Sequence, residues 1–180
     1  MKQTLNTLLG YIKNPVLEKD TNQNINYRLN IFFHLLLLSL ITGIVISPLF
    51  ALLEMLNLID LDTHKIQEMF TDMSNLKIFL FVVVLAPLIE ETIFRAPLTL
   101  FKNKIAFKNA FYIFAIMFGF VHISNFEITT NVILLSPLLV LPQALLGLYL
   151  GFIRVRFGLI WAMLLHAAYN GILISVSFLE

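Results

Sequence analysis

Long apolar runs, rather than short alternations, set the pattern of this chain. Hydrophobic residues dominate positions 30–55, 76–101, 105–123, 132–153 and 157–179, with few polar interruptions. Each run is near the roughly 20 residues that a helix needs to cross a hydrocarbon core. The pattern therefore predicts an all-α, polytopic transmembrane helix bundle with about five spanning helices. The second and fourth runs contain prolines, which membrane helices tolerate when neighbouring groups re-satisfy the backbone. The first run is too long for a signal-peptide core, starts about thirty residues in and lacks a small-residue cleavage pattern.

Two further segments show helical spacing without the length to span. Leu5, Leu8, Leu9, Ile12 and Val16 recur at helical intervals near the N-terminus. Ile66, Met69, Phe70 and Met73 do so after Asp62-Thr63, a suitable N-cap. Two readings are open for both: helices lying in the membrane interface, or short solvated helices packed on the bundle. With no internal repeat or low-complexity run, the organisation expected is an amphipathic cytoplasmic segment over 1–29 and one transmembrane domain over 30–180.

Composition sharpens the membrane reading. Apolar residues make up 59% of the chain and charged residues 13%, with a mean hydropathy of +0.88. The charged share is about half that of a soluble domain. There is no cysteine, so neither a disulfide framework nor thiolate chemistry is available. A net charge of +1 gives no basis for binding nucleic acid, and membrane lipid is the expected surroundings. The placement of the charges says more. Lys2, Lys13, Lys19 and Arg28 precede the first run, Lys102, Lys104 and Lys108 lie between the second and third, and Arg154 and Arg156 between the fourth and fifth. The intervening loops are acidic on balance, with Asp60, Asp62, Glu68 and Asp72 against Lys65 and, at its edge, Lys77 in one, and Glu127 with no Lys or Arg in the other. The positive-inside rule then places the N-terminus in the cytoplasm and the C-terminus outside.

Against this background the polar groups inside the runs stand out. Glu90 and Glu91 sit within an apolar stretch, and an ionised carboxylate at bilayer depth costs several kcal/mol, roughly. Arg95 is four residues after Glu91, so the two share a helix face and can pair. Arg95 cannot shed its charge and needs an anionic partner. Glu90 is turned about 100° away and is the freer carboxylate, suited to act as a general base. A structural ion network between helices is the competing reading of this pair. His122, near the end of the third run, reads on its own as a histidine bonded to a backbone carbonyl. His166 and Asn170 stack one helical turn apart in the fifth run. They suit an oxyanion or, equally, hydrogen bonding between helices. Counted along the helices, Glu90, His166, Asn170 and His122 lie about 16, 14, 20 and 20–25 Å from the inner ends of their runs. Those depths are compatible with a single cavity. His34, His64 and the hydroxyls of Ser39, Thr42, Ser47 and Thr92 have no evident catalytic partner.

The ordered set Glu90-Glu91-Thr92-Ile93-Phe94-Arg95, Phe118-Gly119-Phe120-Val121-His122 and His166-Ala167-Ala168-Tyr169-Asn170 resembles the type II CAAX prenyl protease family. That family includes the bacterial Abi proteins, proposed for bacteriocin processing or self-immunity. The approach to the third motif, from Gly147 and Gly151 to Gly158-Leu159-Ile160-Trp161, also resembles it. The likeness covers about 77–171. One departure is Ala96-Pro97, where members often have glycine after the arginine.

The resemblance implies an intramembrane endopeptidase that cleaves a membrane-bound peptide or protein, lipidated or not. The setting expected is a prokaryotic cell membrane. Glu90 and His122 would activate water, His166 and Asn170 would stabilise the oxyanion, and Glu91 and Arg95 would support the helix. Both metal-free and metal-dependent mechanisms are argued for the family. In the second, Glu90, His122 and His166 would form the zinc set. No cofactor is therefore assigned. A proton-coupled transporter and a non-catalytic binding or self-immunity protein are the other functional classes that remain open.

Overall fold

The computed structural model describes residues 1–60 and 73–179, and the amphipathic segment expected at 66–73 lies almost wholly outside them. Every regular element among the described residues is helical. Helix α1 (Lys2–Lys13) is amphipathic and packs on the bundle, with Leu8 and Tyr11 in its main apolar core. Its Thr4 hydroxyl bonds to His34 Nδ1 at 2.9 Å. That gives His34 a structural partner. Helix α2 (Ile25–Met55) is capped by Asn24, whose side chain accepts from the amides of Asn26 and Tyr27.

The second apolar run is not one continuous α-helix. It divides into α3 (Asn75–Phe79), a π-helical segment (Leu80–Leu85), α4 (Ala86–Phe94) and a 3₁₀ turn (Ala96–Leu100). Pro87 lacks the N–H that would bond one turn back, and local π geometry is a known adjustment around such prolines in membrane helices. Pro97 disfavours helical backbone at Ala96, so α4 stops at Phe94 rather than continuing to 101. Glu90 lies four residues before the end of α4, about 6 Å along its axis.

Helix α5 (Lys104–Val121) starts at the Asn103 cap and runs into a 3₁₀ turn (His122–Asn125). The fourth run forms α6 (Thr130–Leu139) and α7 (Leu141–Phe157), joined at Val140 just before Pro142. Gly158, at φ +115°, turns the chain into α8 (Leu159–Ser177); that backbone conformation is open chiefly to glycine. Among the described residues, four stretches are long and apolar enough to cross a membrane: Ile25–Met55, Lys104–Asn125, Thr130–Phe157 and Leu159–Ser177. The α3–π–α4 stretch, with Lys77, Glu90 and Glu91, is the fifth element of the bundle. Apolar side chains such as Val45, Leu76, Ile105, Leu134 and Ile160 project outward all round. A surface of this kind belongs in lipid.

Helices α5 and α7 make the closest crossing. A Cβ added to Gly119 would meet the Val140 carbonyl at 3.1 Å, and one added to Gly147 would meet Ala115 Cα at 3.1 Å. Small residues let backbones approach in this way where lipid supplies no hydrophobic drive.

The two ends of the bundle differ. At one end, Arg156 pairs with Asp20 at 2.8 Å, and Tyr27 donates to the same carboxylate. There too Arg154 donates to the Arg95 carbonyl and to Thr99. At the other, Leu53, Ile59, Phe126, Val132 and Leu139 form a smaller apolar cluster. The basic segments thus gather at one end, as their alternation along the chain requires.

Candidate active site

The helices α4, α5 and α8 bring the intramembrane polar groups together. Glu91 is fully buried and Glu90 is 25% exposed. The 100° step between them leaves Glu91 facing the bundle and Glu90 at its margin. Glu91 Oε1 accepts from His166 Nδ1 at 3.0 Å and lies 3.3 Å from Arg95 Nη1. The second contact is an ion pair whose angles fall short of a hydrogen bond, for neither Arg95 Nη1 nor Nη2 has a hydrogen-bond partner. The other imidazole nitrogen, His166 Nε2, faces Glu90 Oε2 across 3.8 Å. His166 therefore sits between the two carboxylates, joining α8 to α4.

His122 stands at the end of α5. Its Nδ1 bonds to the Phe118 carbonyl at 2.8 Å. A carbonyl can only accept, so Nδ1 carries the proton and the lone pair of the neutral ring is on Nε2. The His122 ring packs on the Phe118 ring, which also meets His166 and Arg95. Asn170 is engaged elsewhere. Its amide donates to the Val82 carbonyl at 3.0 Å, which belongs to the π-helical segment. An amide nitrogen has two hydrogens, so one donor remains. Glu90 thus faces His166, His122 is joined to His166 through the Phe118 ring, and Asn170 is held by the segment 80–85.

Three contributors carried no role in the sequence reading. Phe118 touches three members of the site, Arg95, His122 and His166, with its ring. The Val82 carbonyl is freed by π geometry that hydropathy does not reveal. Arg154, in the last turn of α7, holds the carbonyl of Arg95, a long-range contact with no local signal. The hydroxyls of Ser39, Thr42 and Thr92 donate to carbonyls four residues earlier, and that of Ser47 to one three residues earlier. They are engaged in holding their own helices.

Among the described residues, no three His, Asp or Glu side chains are arranged to share a metal ion. The donor set as placed does not fit the zinc arrangement of Glu90, His122 and His166, so no step below passes through a metal.

An apolar helix bundle that buries a glutamate, an arginine and a histidine in contact, with a second glutamate beside them, defines a class: polytopic membrane proteins with an ionisable site inside the helices. The family follows from the sequence match. The model of the type II CAAX prenyl endopeptidase Rce1-like family matches residues 72–172, more than half of the chain, and the chain belongs to that family. No curated protein and no solved structure matches it. A CAAX-type membrane protease, acting on membrane-associated peptide or protein, is the class this membership defines.

Proposed function

We propose that the protein hydrolyses a peptide bond of a membrane-associated substrate with water activated by Glu90 and His122. The observation that carries this reading is the placement of His166 between Glu90 and Glu91, with Arg95 behind them. Charge balance gives the arrangement its chemistry. Glu90 and Glu91 contribute two negative charges and Arg95 one positive charge, so the group is one proton short of neutrality. A net charge in lipid is costly. One proton on His166 makes the cluster neutral. The ring then donates through Nδ1 to Glu91 and through Nε2 into the cavity.

Such an imidazolium is a strong donor to an oxyanion developing on a scissile carbonyl. The second N–H of Asn170 is the other donor. Glu90, partly exposed and 3.8 Å from His166 Nε2, accepts the proton of the attacking water. The lone pair of His122 Nε2 holds that water in line. Apo catalytic contacts are commonly long and tighten when substrate binds. Glu91 and Arg95 orient His166 without touching substrate. The basic end of the bundle faces the cytoplasm in this proposal, with the N-terminus on that side, and the setting is a prokaryotic cell membrane.

The test compares the termini of membrane proteins in cells carrying the wild type or Glu90→Gln. The expected result is a set of termini that depends on Glu90. Equal termini in both, with Glu90→Gln folded and abundant, would overturn the proposal.

A further inference from the structure

We propose that Phe118 is a positioning residue of this site, a single aromatic platform that fixes Arg95, His122 and His166 together. The inference rests on the catalytic reading above for its functional consequence, but its geometry stands alone. The Phe118 ring is fully buried. Arg95 Cζ lies 3.9 Å from its centroid. The rings of His122 and His166 meet it edge-to-face, at 4.9 Å and 65° and at 5.5 Å and 83°. Phe94, the residue before Arg95, packs on it at 5.7 Å and 75°.

The arginine shows why the ring matters. Its guanidinium is 1% exposed, has no hydrogen-bond partner on either terminal nitrogen, and meets Glu91 only as an ion pair. Buried donors are ordinarily hydrogen-bonded, so a second favourable contact is needed. The negative face of the Phe118 ring supplies it, and such contacts strengthen when water is excluded. The chain of positioning then runs from ring to guanidinium, from guanidinium to Glu91, and from Glu91 to His166 Nδ1.

The same residue acts a second time through its backbone. Its carbonyl accepts the Nδ1 proton of His122, which leaves Nε2 as the basic nitrogen. Phe118 and His122 are one helical turn apart and share a face. The four-residue spacing therefore lets ring and carbonyl address one imidazole together. An aliphatic residue would fill the volume and keep the carbonyl, but would offer no face to the cation and no edge-to-face geometry to the imidazoles.

Fluorinated phenylalanines separate these roles, because successive fluorines weaken the ring face while nearly preserving its shape. Mono-, di- and trifluorophenylalanine are placed at position 118 in the full-length protein, with Phe118→Leu as the aliphatic comparison. The first readout is the ¹⁵N spectrum of His122 and His166 against pH in detergent. A graded movement of both imidazole titrations across the fluorine series is expected, with folded yield retained. The second is cleavage of a farnesylated, fluorescence-quenched CAAX peptide. The expected loss is about tenfold in kcat for the trifluoro ring, with KM little changed.

Imidazole titrations identical to wild type across the whole series would overturn the proposal and reduce Phe118 to packing. Glu90→Gln is assayed on the same peptide. Cleavage that survives Glu90→Gln sinks the catalytic reading, while the histidine titrations still decide the platform.

Discussion

Removing the arginine of the buried ion pair tests the energetics of the site most directly. Arg95 and Glu91 are 1% and 0% exposed and lie 3.3 Å apart. Taking one partner from a buried pair costs about 3–5 kcal/mol, because the other is left in a low-dielectric interior. Two features of this site move that figure in opposite directions. Glu91 keeps His166 Nδ1 at 3.0 Å, which moderates the loss. Arg95→Ala also removes the guanidinium from the face of Phe118 and leaves a space in the core, which adds to it.

The expected cost of Arg95→Ala therefore stays near about 4 kcal/mol. For a chain of this size each kcal/mol is worth roughly 2–4 °C, so the midpoint should fall by on the order of 10 °C. The assay is thermal unfolding in a mild detergent, with folded yield as a second measure. A double variant of Arg95→Ala and Glu91→Ala should cost less than the sum of the two single changes, since neither charge is then left alone. A wild-type midpoint for Arg95→Ala, or strict additivity in the double variant, would refute the idea that this pair supports the fold.

Other consequences follow from particular contacts. Gly147→Val should destabilise by about 1–3 kcal/mol through the forced separation of α5 and α7, measured by the same unfolding assay; an unchanged midpoint would mean the crossing is loose. At Asp20, burial acts to raise the carboxyl pKa, but hydrogen bonds from the Asn22 amide, Arg156 and Tyr27, with the Arg156 charge, hold it below the ordinary carboxylate range. The Asp20 contribution is then fully present above its unfolded pKa of about 4 and is lost as pH falls through its lower folded value. Asp20→Asn should therefore lower stability at neutral pH and narrow its gap from wild type in acid; a constant gap would exclude the carboxylate. Cysteines placed at Lys104 and Glu127 should label from opposite sides of the membrane in a cysteine-free background, and labelling from the same side would remove the topology.

How much of this was legible beforehand depends on the range of the contacts involved. The all-helical membrane class, the apolar runs and the alternation of basic loops follow from hydropathy and charge along the chain. So does the Glu91–Arg95 proximity, because a four-residue step on a helix is a local fact. The ordered motifs pointed to the family, and the family match confirmed it. The end of α4 at Phe94 was foreshadowed by Pro97, although hydropathy alone carried the run on to 101.

Tertiary structure decided what local spacing cannot. His166 and Asn170 share a helix face, yet one meets Glu91 and the other the Val82 carbonyl, because the partners come from a different helix with a π-helical turn between them. Sequence spacing held no information about the Val82 carbonyl that engages one N–H of Asn170. Phe118 opens the second of the ordered motifs, but the sequence assigns its ring no partner. Only the packing of α4, α5 and α8 places its ring against a guanidinium and two imidazoles. The sequence determined which groups had to be sheltered from lipid, because their desolvation cost is a property of the residues themselves. Which group shelters which was decided by helix packing, since each of those contacts joins residues far apart in the chain.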